Sequence, residues 1–224
     1  MKGLLLKDCQ LTLMNRQMVI VMVIMVPILL VTGGDNMTSF AMFYLGFMSA
    51  MMVLSTITYD DMEHGMTFLM TLPVNRKTYV AEKYTFGGIM IFVGMFFAQL
   101  VITIYQLNAK GEVAFPQNLI ETGVGIFTIA IVLAIMIPLQ LKFGADKGRI
   151  VIIGCAAGIM VLVYGSVWIM KKLNLNIDGV ATKIDAVIEN ISGYMAAGIL
   201  ILVLAVVYGI SIAVSNHIMR KKEL

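Results

Sequence analysis

Charge is what this chain has least of: 13% of its 224 residues are charged, against roughly a quarter in an average soluble domain. The charges that exist are clustered, and long stretches hold none. Cysteine is equally sparse, with two residues, Cys9 and Cys155. They lie far apart, one in a short N-terminal segment and one inside an apolar run, which argues against a disulfide; a buried cysteine behaves as a small hydrophobe. The two histidines, His64 and His217, lack a second histidine or cysteine at ligand spacing, so solvated surface positions are expected and a metal site is not. No G-x-x-x-x-G-K-[ST] phosphate loop, H-E-x-x-H or G-x-S-x-G sequence occurs, which removes the common devices for nucleotide binding and hydrolysis. Nor is there the concentrated basic character of a nucleic-acid binder.

Hydrophobic residues make up 60% of the chain, more than a small water-soluble domain can hide. A hydrocarbon core of about 30 Å takes about 20 helical residues, and six runs approach or meet that length: 18–32, 39–58, 85–107, 119–139, 150–170 and 195–214. The first is short and contains Pro27. Residues 1–16 lack the apolar region and cleavage site of a signal peptide, so this first run is expected to stay as an anchor. Continuous helices satisfy backbone hydrogen bonding inside lipid. The expected architecture is therefore all-α, a single polytopic domain over 1–224 with six transmembrane helices.

Lysine and arginine set the orientation. With the N-terminus inside, the inner segments hold Lys2, Lys7, Arg16, Arg76, Lys77, Lys83, Lys142, Lys147, Arg149, Arg220, Lys221 and Lys222, twelve in all. The outer loops hold four: Lys110, Lys171, Lys172 and Lys183. Both termini are thus expected in the cytoplasm. Tyr59 and Tyr84 would mark the inner lipid boundary, and Tyr105, Trp168 and Tyr194 the outer one.

Three segments between the spans carry pattern. In 2–17, Leu6, Cys9 and Leu13 fall near one helical face with Lys7, Asp8, Asn15 and Arg16 as polar flanks, which fits an interfacial helix or a charged extension of the first span. In 59–84, Met62, Met66, Leu69 and Met70 form one helical stripe. Asp60, Asp61 and Glu63 would occupy the first turns, where they complement the helix dipole, and Pro73 would end the helix near Leu72. Such an amphipathic cytoplasmic helix is suited to docking on lipid or on a protein. In 171–192, Ile177, Val180, Ile184, Val187, Ile188 and Ile191 follow helical spacing, as expected of an amphipathic helix at the outer mouth.

Inside the spans ionisable groups are scarce. Glu121, near the outer end of the fourth, is the exception, and the scarcity argues against a proton-coupled transporter. Ser49 and Ser55 have no histidine or lysine at membrane depth, which disfavours an intramembrane enzyme. Methionine is abundant, 20 residues. Met48, Met51 and Met52 in the second span are candidates for an adaptable substrate path, and equally for ordinary core filling. Gly154 and Gly158 form a small-xxx-small pair that permits close helix contact.

The stretch Tyr59-Asp60-Asp61-Met62-Glu63-His64-Gly65, followed by Leu69-Met70-Thr71-Leu72-Pro73-Val74-Asn75-Arg76 and Tyr79-Val80-Ala81-Glu82-Lys83, resembles the signature of permease subunits of ABC-2 type exporters. The opening Met1-Lys2-Gly3-Leu4-Leu5-Leu6-Lys7-Asp8 is similar to the family's interfacial start. The likeness is nearest to small bacterial permeases encoded apart from their ATPase, among them exporters of bacteriocins, lantibiotics and phenol-soluble modulins. The resemblance implies a coupling helix comprising Glu63, Gly65, Met66, Leu69, Leu72, Pro73 and Arg76, seated in a groove of a separate ATP-binding subunit. Contact would fall to Glu63, Met66, Leu69 and Arg76. It implies two ATP-binding subunits carrying ATP and Mg, a second permease chain (identical or related), no cofactor in this chain, and an amphipathic or hydrophobic substrate. It implies alternating access across the bacterial plasma membrane, with spans two and five along the path. A non-transporting subunit conferring immunity to, or sensing of, antimicrobial peptides shares these features.

Overall fold

The computed structural model describes residues 2–62, 65–71, 75–111, 115–172 and 193–221. Among these the chain is helical, with no strand. The elements are α1 (Lys2–Met14), α2 (Arg16–Gly33), a 3-10 turn (Gly34–Met37), α3 (Thr38–Asp61), α4 (Gly65–Thr71), α5 (Arg76–Lys110), α6 (Phe115–Lys172) and α7 (Gly193–Lys221). Among the described residues five segments are long and apolar enough to cross a bilayer: Arg16–Gly33, Thr38–Asp61, Arg76–Ala109, Asn118–Gly144 and Gly198–Lys221. The first four contain the first four expected runs, and the fifth overlaps the last expected run, 195–214, from 198 onward. The remaining run, 150–170, is helical within α6, but most of its side chains, including those of Cys155 and Trp168, lie outside the described residues, as do residues 173–192 of the expected outer segment 171–192.

α3 is the centre of the bundle. It packs on α2, α5 and α6, with α1 and α4 at one end, and it is the most buried of the five spans. Leu45, Val53 and Ile57 of α3 meet Ile91, Met95 and Ile102 of α5 and Ile129, Leu133 and Ile137 of α6 in the core. Close approach depends on glycine: a Cβ on Gly94 would collide with the Ser49 hydroxyl, and one on Gly46 with Ile129. Gly154, in contrast, faces open space. The outward faces of α5 and α7 expose Phe92, Phe96, Ile104, Ile201 and Leu202. In water that surface would drive aggregation; against lipid tails it is the expected exterior.

α6 is broken at Gly144 (φ 72°, ψ −171°), a backbone region open essentially to glycine alone. A Cβ there would also strike the Asp61 carboxylate at the end of α3. Gly144→Ala is therefore expected to destabilise the protein by about 1–3 kcal/mol, measured as a fall in thermal midpoint in detergent.

The four basic segments meet at one end of the bundle. Lys7 and Lys83 share the same carboxylate partners, Arg76 touches the end of α7, and Lys142 and Lys221 border one cavity. The positive-inside rule makes this the cytoplasmic end. Toward the opposite end the Ser39 hydroxyl donates to Glu121 (2.9 Å), so that carboxylate has a partner within the bundle's outer rim.

Candidate functional site

At the cytoplasmic end α5 runs about two turns past the start of its apolar run, to Arg76, and α1 lies across it. The inward face of α1 is set by Leu4 and Asp8, both buried. Leu6 and Leu13 are 62% and 64% exposed, and Cys9 is exposed and free. The expected apolar face thus points outward, as an interfacial helix requires, while its polar flank does the unexpected: Asp8 turns into the protein.

Asp8 is buried because its charge is matched there. Lys83, fully buried on α5, pairs with Asp8 and also with Asp60 of α3 (2.8 Å). Lys7 bridges the same two carboxylates, reaching Asp8 at 3.3 Å. The Thr56 hydroxyl donates to Asp8 (3.1 Å), the Lys83 ammonium donates to Thr56 (3.2 Å), and the Tyr79 hydroxyl donates to Asp60 (3.0 Å). Glu82 is buried beside them, 3.9 Å from the Lys83 ammonium. Ions taken out of water cost several kcal/mol each unless they are paired and hydrogen-bonded, so this cluster holds together as a unit or not at all. It fastens α1, α3 and α5 at one point.

Further polar contacts extend the belt. Tyr84 of α5 bonds Ser215 of α7 (2.9 Å) as well as Ser211, and Ser211 donates to the Ala134 carbonyl of α6. Tyr84 is therefore a buried interhelical link and not the boundary aromatic expected from sequence; Tyr59 is 48% exposed. The Gln140 amide donates to Thr58 (2.8 Å), joining α6 to α3. Arg76 donates to the carbonyls of Met219 (2.7 Å) and Arg220 (3.1 Å). These last-turn carbonyls lack helical partners, and the guanidinium complements the negative end of the α7 dipole. Arg76 thus engages this chain's own α7.

The short helix α4 hangs from this belt. Asp60 and Asp61 close α3 instead of opening the next helix, and the backbone turns extended at Met62 (φ −71°, ψ 146°) before α4 begins at Gly65. The expected acidic first turn is thus not formed by Asp60 and Asp61. Gly65 sits so close to the Asp60 carbonyl that a Cβ would lie 2.9 Å from it, which ties α4 to the turn carrying the charge cluster. Met66 is 3% exposed and packs into the core, so it anchors the helix, while Thr67 and Phe68 (68% exposed) form the outer surface. Leu69 is in α4, with its side chain outside the described residues; Glu63, Leu72 and Pro73 lie outside them altogether. Of the methionines considered for a path, Met48 and Met51 are half-buried and Met52 is buried in the bundle. Sequence reasoning missed Asp8, Asp60, Tyr79, Lys83 and Phe68 as site residues; the helical spacing of Asp8 between Leu4 and Leu11, on a face other than that of Leu6, Cys9 and Leu13, was the available signal.

A helical bundle with an apolar exterior and a short exposed helix at its cytoplasmic end defines the class: a multi-pass membrane protein. Residues 3–220 match the family described as ABC-2 family transporter protein, and the chain belongs to that family. No curated protein and no solved structure matches it. Membership makes the chain a permease subunit of an ABC transporter, a membrane component that works with an ABC ATP-binding subunit.

Proposed function

We propose that this chain is the permease of an ATP-driven exporter that moves an amphipathic or hydrophobic substrate (a peptide, toxin or drug-like molecule) out across a bacterial plasma membrane. α4 is the coupling helix of this reading. What supports it is one arrangement: α4 has an anchored side, at Gly65 and Met66, and an exposed side, at Thr67 and Phe68, and it hangs from the turn that carries the buried charge cluster. Two ATP-binding subunits, which hold ATP and Mg, press on the α4 helices of two permease chains, identical or related. Displacement of α4 pulls on Asp60, and through Lys83 and Asp8 it moves α5 and α1 together, so the spans rock between inward and outward openings. The energy comes from the partner, and this chain supplies the differential contacts.

The test is a pull-down of the tagged chain from mildly solubilised native membranes with mass spectrometry of what accompanies it. A P-loop ATPase in near-equal amount is expected. Its absence in several mild detergents would overturn the exporter reading in favour of a non-transporting role in immunity or sensing.

A further inference from the structure

A cavity of about 970 Å³ opens between α6 and α7 in the cytoplasmic half of the bundle, at the upper end of the size range of small-molecule sites. Ile135 and Leu139 of α6 and Ile210 and Val214 of α7 give it apolar walls. Apart from Ser211, its polar members, Lys142, His217 and Lys221, lie at one end. Ser211 bonds the Ala134 carbonyl, which puts these two residues at the same level. Lys142 lies eight residues further along α6, and His217 and Lys221 lie six and ten residues further along α7. At 1.5 Å per residue that is roughly 12 Å to Lys142 and roughly 15 Å to Lys221. Both helices run toward the cytoplasm here, so the cations gather at the mouth. Among the described residues no lining side chain is acidic.

An apolar slot about one leaflet deep, with two lysines at its headgroup level, is complementary to one kind of occupant. We propose that it binds an anionic phospholipid of the cytoplasmic leaflet, with its acyl chains along Ile135, Leu139, Ile210 and Val214 and its phosphate between Lys142 and Lys221. A neutral amphiphile would fill the walls equally well but leave both ammonium groups unmatched. A cationic peptide would be repelled at the mouth. Lys142 and Lys221 are exposed; the Lys142 ammonium lies over the Phe143 ring at 5.2 Å, and both long side chains can turn toward a headgroup, as cationic side chains do at membrane boundaries. The site is distinct from the charge cluster beneath α1, and its occupancy does not depend on transport.

The experiment is native mass spectrometry of the full-length chain, purified in a delipidating detergent and titrated separately with phosphatidylglycerol and phosphatidylcholine of the same acyl composition. One saturable phosphatidylglycerol per chain is expected, with phosphatidylcholine at least tenfold weaker. A basic residue near an anionic lipid is worth about fivefold in affinity, so Lys142→Gln with Lys221→Gln should weaken phosphatidylglycerol roughly 25-fold. Lys2→Gln with Lys77→Gln, which removes the same charge from the same end of the protein but away from the cavity, should leave it unchanged. Val214→Trp, which fills the slot from a lipid-facing position, should abolish the saturable site. Equal binding of the two lipids, or equal losses in the two double variants, would overturn the proposal by showing annular lipid and general electrostatics. Retention of a peptide in place of lipid in the purified wild type would overturn it as well.

Discussion

Lys83→Met is expected to lower the thermal midpoint of the detergent-solubilised protein by roughly 10 °C and to release α1 to protease. Lys83 is fully buried and contacts Asp8 and Asp60 directly. Removing one member of a buried ion pair strands the others in a poorly solvating interior, at about 3–5 kcal/mol; each kcal/mol shifts the midpoint by about 2–4 °C in a chain of this size. Lys7 and Tyr79 still reach Asp60, but Asp8 would keep only Lys7 and Thr56, and both Asp8 oxygens lie within the protein. A second substitution separates lost pairing from lost packing. Asp8→Asn combined with Lys83→Met removes charge from both partners, and it should recover a substantial part of the midpoint lost by Lys83→Met alone, a coupling read from the double-mutant cycle. A single variant that unfolds within about 2 °C of wild type would mean that the cluster does not hold the cytoplasmic end together.

The origin of this cluster explains what a single sequence discloses and what it conceals. Apolar runs located five spans among the described residues closely, because the bilayer imposes a length and excludes charge, and both constraints are local. Their cytoplasmic ends were not legible in the same way. The third run begins at Thr85 when it is cut short of the first charge, yet α5 extends back to Arg76 because Lys83 is neutralised by carboxylates 23 and 75 positions away in sequence. Periodicity has no access to such partners. On α1 the apolar triad of Leu6, Cys9 and Leu13 was legible, and its outward direction fits an interfacial helix; that Asp8 faces inward depends entirely on α3 and α5. Around residue 62 the methionine stripe implied one helix from Asp60 onward. The chain makes two, because Asp60 and Asp61 complete α3 and the backbone is extended at Met62. Met66 belongs to the stripe and is buried as a stripe residue should be, but its partners are this chain's own core.

Phe68→Glu is expected to leave the protein folded and to weaken its association with the ATP-binding subunit by at least about 30-fold, with transport lost in proportion. The stability part follows from position: Phe68 is 68% exposed, and surface substitutions usually stay within about 0.5 kcal/mol. The binding part follows from chemistry. A large exposed aromatic on a short anchored helix has the character of an interface hot spot, whose truncation or reversal costs about 2 kcal/mol or more, and 1.4 kcal/mol corresponds to about tenfold in affinity. Met66→Glu is the necessary contrast. One residue pair away on the same helix, it would push a carboxylate into the core and should lower stability first, with loss of association only as a consequence. Co-purification with the ATPase, measured beside the thermal midpoint for both variants, separates the two faces of α4. Full, stoichiometric recovery of the ATPase with Phe68→Glu would remove α4 from the interface and leave the charge cluster as a fastening without a lever.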